Sequence, residues 1–420
     1  MSFGNLISKI GSIATSFIEK VKENKKEDNE SIIQFGNKSS EPVNEASISE
    51  EFGILQDTFS EDIFNNRQIH RYAADVEEYK TEIHNMLLSA NIPSNMKEDL
   101  LPLYENLTES NDEDDINSIK AEIAQIFANA EKDGINENLK GLQYDLELSA
   151  MRSNQASEMK ALYEKLADAD SQEAKYYIQT EIEEAQNRHG IEDTKTFINA
   201  YIHNSRLNNE QKDELSKIYN DLLNADNEND KDMIMATIEK YCIEQGINPK
   251  GEMISGLNYN VVQHEKYTVL AELFEKMGNT SSEKVRSQIW GEIELARTHF
   301  DNKMLPYESQ MLVNDLGLDK ETQTNILEYI ERLEDASDED DSARIIAEID
   351  LKLQEAGIDT NSNEYITMQR ITLNIQQNKE LEPLYENLSK ATDEDTIAEI
   401  NAQINEIYQK YNPLFEELNY

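Results

Sequence analysis

The chain has 420 residues and a formal charge of −46, with 38% hydrophobic and 30% charged residues. So acidic a surface repels phosphate backbones, which argues against direct nucleic-acid binding by the body, and it favours partners with basic surfaces. No run approaches the ~18 apolar residues of a membrane span, and 14 Gly and 7 Pro are too little punctuation for a sheet protein, so long helices are expected.

Residues 1–22 read as an amphipathic helix. Phe3, Leu6, Ile7, Ile10, Ile13, Ala14, Phe17, Ile18 and Val21 recur at steps of three and four, and the other face is Ser, Thr and Asn. Residues 1–26 hold five Lys and two Glu, a net of +3 that leaves −49 on the remainder. The apolar residues are interrupted and most of the positive charge follows them, so the segment is not a convincing signal peptide. A lone helix of this length is marginal in water and needs a partner for its apolar face. A membrane interface, a groove on another protein and the body of the chain all remain open. Residues 23–61 lose the periodicity, are rich in Ser, Glu, Asn and Lys, and read as a flexible linker.

From about residue 62 the chain resembles itself. PLYENL occurs at 102–107 and again at 383–388, with related stretches ALYEKL, KIYNDL, ELFEKM and YIERL between them. The central positions are Tyr104, Tyr163, Tyr219, Phe274, Ile330 and Tyr385, spaced by 59, 56, 55, 56 and 55. Seven residues after each stands Asn111, Asp170, Asp226, Ser281, Ser337 or Thr392. All are residue types whose side-chain oxygen can cap a helix N-terminus, so a helix is expected to start at each. Glu113, Gln172, Glu228, Glu283, Glu339 and Glu394 follow two residues later, where carboxylates suit the helix dipole. The acidic runs at 111–115, 168–173, 226–232 and 337–341 therefore read as caps. None has the Gly and Glu placement of a calcium-binding helix–loop–helix.

Gly134, Gly190, Gly246 and Gly357, each followed by Ile, read as helix stops. Asp301 and Asn412 stand at the same distance in the units without such a Gly. Alternate anchors differ in what precedes them, so the expected repeat is a pair of units. Anchor steps are 115 and 111 in one series, 111 and 111 in the other. The chain is thus expected to be all-α, with three tandem copies of a unit of about 111 residues and roughly five helices. The copies fall at 62–190, 191–300 and 301–411, with a tail at 412–420, as a solenoid-like array or a row of helical bundles. Pro383 is expected to kink or break its helix near 379–382, and Pro102 poses the same problem.

Chemistry-bearing motifs are missing. Six His form no i, i+4 ligand pair, and there is no phosphate-binding Gly loop and no nucleophile elbow. Cys242 is the only cysteine, sits at a helical spacing and reads as a buried structural thiol. No catalytic, metal or cofactor site and no small-molecule substrate is expected. The expected role is a non-enzymatic structural or interaction protein that presents an acidic surface and is tethered by residues 1–21 to a membrane or larger assembly. The layout would suit a virion, cargo or exported protein, in the cytoplasm or within an assembly. The alternative is an acidic DNA mimic that sequesters a basic partner.

Overall fold

A computed structural model describes residues 61–110, 113–135, 138–225, 227–336 and 339–418. The segment 1–22 and the linker up to residue 60 lie outside the described residues, as do Asn111, Asp226 and Ser337. Every described residue belongs to a unit spanning Gln56–Tyr420. Among the described residues there are thirteen helices and no strand.

In chain order the helices are α1 (Glu61–Ser89), α2 (Ser94–Glu109), α3 (Glu113–Lys132), α4 (Leu139–Ala167), α5 (Gln172–Asn204), α6 (Asn209–Leu223) and α7 (Glu228–Glu244). They continue as α8 (Glu252–Gly278), α9 (Glu283–Asp315), α10 (Lys320–Glu334), α11 (Glu339–Glu355), α12 (Asn363–Lys390) and α13 (Glu394–Glu417). The long helices pack side by side in the order α1, α4, α5, α8, α9, α12, α13. Between α1 and α4, α5 and α8, and α9 and α12 the chain makes a hairpin of two shorter helices: α2/α3, α6/α7 and α10/α11.

Apolar spacing explains this arrangement. Each short helix carries one stripe, such as Leu215, Ile218, Tyr219 and Leu222 on α6, which suffices to cover one partner. The long helices other than α13 carry apolar residues at both ends, so each of them serves two cores. One set of cores joins the hairpins to the adjoining halves of two long helices. Ile83, Leu100, Ile123 and Leu146 represent the first, Ile198, Leu215, Ile238 and Leu257 the second, and Val313, Ile326, Ile349 and Ile371 the third. The other set lies at the opposite ends, where α4/α5, α8/α9 and α12/α13 turn back on themselves, around Leu162 and Ile182, Phe274 and Ile293, and Leu388 and Ile400.

Helix ends follow local chemistry, with one systematic offset. Helices begin at Glu113, Gln172, Glu228, Glu283, Glu339 and Glu394. For the four of these helices whose preceding residue is described, that residue is the cap, not the one expected. Ser171 caps α5 in place of Asp170, Ser282 caps α9 in place of Ser281, and Asp393 caps α13 in place of Thr392. Asn227, next to Asp226, caps α7. Each site offers two adjacent capable residues. The second wins because it takes up the extended backbone from which its oxygen reaches the N–H three residues on, as Ser171 does for Ala174 at 3.1 Å.

At the other ends Gly134, Gly246 and Gly357 adopt φ of 74°, 71° and 80°. The following Ile N–H reaches back five residues, to Ala130, Cys242 and Leu353 carbonyls at 3.2, 2.8 and 3.0 Å. This closes the last turn and folds the Ile onto the core.

Gly190 differs. It is no stop: α5 runs through it from Gln172 to Asn204. A Cβ there would lie 2.4 Å from the Tyr267 ring of α8, so the glycine serves a close helix–helix approach. Four helices, not five, therefore occupy 172–278, and boundaries at 190/191, 300/301 and 411/412 would cut α5, α9 and α13. Asp301 and Asn412 likewise lie inside helices. Pro102 and Pro383 are accommodated within α2 and α12 without a break.

Candidate functional site

The six anchors are all buried, one each in α2, α4, α6, α8, α10 and α12. Their polar ends are treated differently. The Tyr219 hydroxyl donates to Asn258 Oδ1 at 2.7 Å, and the Tyr385 and Tyr408 hydroxyls pair at 2.8 Å. Tyr163 stacks on Tyr72 with centroids 5.7 Å apart. The buried Tyr104 hydroxyl has no hydrogen-bond partner among the described residues. Tyr219→Phe should therefore cost about 1 kcal/mol, whereas Tyr104→Phe should be neutral or slightly stabilising. Urea denaturation of the two variants checks this, and equal losses would contradict it.

Cys242 is buried and burial pushes its thiol up to about 11, a weak nucleophile.

One set of paired ionisable groups was not legible in the sequence. It is a polar belt across the middle of the long helices, between the two sets of apolar cores. Between α4 and α5, Glu158 accepts from Arg188 Nη2 at 2.6 Å and pairs with His189 Nε2 at 2.8 Å. Arg152 pairs with Asp193 at 3.3 Å; outside the belt, at the last residue of α5, Asn204 donates to both Asp145 oxygens at 2.9 Å. Between α5 and α8, His264 Nδ1 lies 3.1 Å from Thr194 Oγ1 and 3.2 Å from the Ile191 carbonyl. From α8 to α9, Lys266 pairs with Asp301 at 2.6 Å. Arg297 of α9 reaches Glu294 at 2.7 Å and Glu183 of α5 at 3.3 Å. Asn378 of α12 donates to Asn302 at 2.9 Å.

Burial and pairing pull these carboxylates in opposite directions. Hydrogen bonds from His189 and Arg188 hold Glu158 down at about 2. Burial raises Asp145 to about 6 and lifts Glu294 and Glu308 above the usual carboxylate range. His264 and His203 are depressed, chiefly by burial. A carboxylate held at so low a value is a poor proton acceptor, and its partner His189 is only 8% exposed. The Glu158–His189 pair thus suits fixing α4 against α5 better than general acid–base work. Its Arg188–Glu158 bridge spans 30 residues and Arg297–Glu183 spans 114. Sequence spacing alone gives no reason to link groups so far apart.

Among the described residues no group of three or more His, Cys, Asp or Glu could hold a metal ion, and no helix is long and apolar enough to cross a membrane. The residues expected to form a tether, Phe3, Leu6, Ile7, Ile10, Ile13, Phe17, Ile18 and Val21, lie outside the described residues. No protein-family model matches the chain, and comparison with curated proteins and with solved structures gave no match.

Proposed function

We propose that the chain is a non-enzymatic interaction protein made of three tandem copies of a four-helix unit. The copies present an acidic surface to basic protein partners. Residues 1–21 tether that surface to a membrane or a larger assembly. The observation that carries the repeat is the recurrence of helix starts. The helices that open the second and third units begin at 172 and 283, 111 residues apart, and α13 follows 111 residues later at 394. The first hairpin helices begin at 94, 209 and 320, and the second at 113, 228 and 339. The function rests on the charge of −46, on a belt whose ionisable groups pair with one another, and on the separate amphipathic segment.

An array of this kind offers a large surface built from repeated positions, which favours binding over chemistry. The charge also motivates the second reading, an acidic mimic of DNA that sequesters a basic protein.

Liposome co-sedimentation tests the tether, using the full chain beside one lacking residues 1–26. Pelleting of the full chain alone is the expected outcome for a membrane anchor. If neither pellets, affinity capture with residues 1–26 as bait tests docking to an assembly, and failure to retain any protein removes the tether.

A further inference from the structure

The hairpins α4/α5, α8/α9 and α12/α13 occupy corresponding places, but only the outer two are bridged in the same way. In α4/α5 the bridge is Glu158 to Arg188 at 2.6 Å. In α12/α13 it is Glu380 to Lys410 at 2.8 Å, reinforced by the Tyr411 hydroxyl at 2.6 Å. Glu158 and Glu380 lie 111 residues either side of position 269, and each partner lies 30 residues further on. In α8/α9 these two positions are Val269 and His299, which cannot form the bridge.

Val269 is 37% exposed and Val285, on α9, is 39% exposed. Next to them a surface concavity of about 700 Å³ opens between the two helices, lined by Val285, Ile289, Glu272, Glu275, Lys276 and Asn279. Val269, Glu272 and Lys276 follow one another at steps of three and four along α8, and Val285 and Ile289 are four apart on α9, so each helix gives one stripe to this face.

The other faces of α9 are already in use. Arg286 lies over the Tyr176 ring of α5 at 4.4 Å, and Gly291 abuts the backbone of Ser389 on α12.

We propose that the α8/α9 groove is a docking site for a basic amphipathic helix of a partner protein. Two antiparallel helices with an apolar floor form a trough into which the apolar stripe of a third helix can lie. Glu272 and Glu275, against the single Lys276, leave the rim net acidic, and it then meets Lys or Arg flanking that stripe. The same rim disfavours anionic lipid and nucleic acid, so charge selects a basic protein segment. The assignment rests on the reading of this chain as an interaction protein, and it names the site and the partner chemistry.

The test uses the full chain and a fluorescein-labelled 18-residue Leu/Lys peptide with its Leu residues on one helical face. Binding is measured in moderate salt, which screens diffuse attraction to the acidic surface. Val269→Gln/Val285→Gln leaves the charge unchanged. Val269→Glu/His299→Arg installs the bridge of the outer hairpins. The expected result is one-to-one binding, weakened about tenfold or more by either double variant. Amide exchange should slow in 269–292 but not at the corresponding 158–181 and 380–403. Circular dichroism confirms that the variants are folded.

Equal binding to all three proteins overturns the groove while leaving the acidic-surface reading intact. No binding to any of them removes both. A concentration-dependent dimer of the unmodified chain that Val269→Gln/Val285→Gln abolishes would make the occupant a second copy and overturn the assignment. Binding to neutral phosphatidylcholine vesicles that the same variant abolishes would do so in favour of a lipid surface.

Discussion

Replacing Gly291 by Ala should destabilise the protein by about 2 kcal/mol, although the same change in an open helix stabilises by up to about 1 kcal/mol. Gly291 lies inside α9, where its missing side chain lets two helix backbones meet. An added Cβ would sit 2.7 Å from the Ser389 nitrogen, 3.0 Å from its Cα and 3.1 Å from the Leu388 carbonyl carbon. These are backbone atoms and cannot rotate aside, so α9 and α12 must separate. Overpacking of this kind costs about 1–3 kcal/mol, and separation also loosens the core around Leu388, Ala391 and Leu295.

Gly278, at the end of α8, is the control. Its nearest neighbour would be Thr180 Cγ2 at 3.7 Å, ordinary contact, so Gly278→Ala should be neutral or slightly stabilising. Urea unfolding of both variants, followed by circular dichroism, decides the matter. A Gly291→Ala protein as stable as the parent would show that the two helices are not held at this separation.

Thermal stability should rise as the pH falls from 7.5 to about 5, by roughly 5 °C, the reverse of the usual acid response. The cause is a set of carboxylates that burial between the long helices raises. Asp145 lies against Asn204 and Glu82, and burial raises it to about 6. Glu308 is raised by burial, with Tyr259, Asp301 and Lys266 around it. Glu294 is raised by burial against Arg297, with Glu183 and Asp301 adding to the rise.

A carboxyl raised in the folded state binds its proton more tightly there than in the unfolded chain. Its contribution is complete below the unfolded value of about 4 and is lost as pH rises through the folded value. Acidification also relieves the mutual repulsion of a chain at −46. His203 and His264, depressed chiefly by burial, work in the opposite sense, losing their contribution as pH falls below the unfolded value of about 6.5, and so does Glu158. Held down at about 2, it contributes above the unfolded value, and that contribution is lost as pH falls through the folded one. The optimum should therefore lie near pH 5. Melting temperatures across pH 3–8 test this, and Asp145→Asn with Glu308→Gln should flatten the acidic rise. A melting temperature that falls steadily from pH 7.5 to 5 would remove these carboxylates from the explanation.

Much of the local architecture was present in the chain itself. The positions Tyr104, Tyr163, Tyr219, Phe274, Ile330 and Tyr385 could be picked out as apolar anchors from their spacing, and all are buried. Gly134, Gly246 and Gly357 could be read as stops because the left-handed backbone they adopt is cheap for glycine alone. These features depend on interactions within about five residues, which a sequence pattern records.

Where two neighbours could both serve, the pattern was ambiguous. Asp170 and Ser171 are both good caps, and the backbone turn out of α4 chose Ser171. Gly190 carried the same Gly–Ile signature as the true stops. It continues a helix because Tyr267 of α8, 77 residues away, occupies the space beside it. The belt has the same origin. Glu158, Glu183, Asp301 and Glu308 are unremarkable among 85 acidic residues, and only the side-by-side packing of the long helices brings them to their partners. The sequence by itself determined where helices begin, end and turn their apolar faces, because those depend on near neighbours. The tertiary structure alone decided which helices run on and which charges are buried, because those depend on groups that the chain brings together from many turns away.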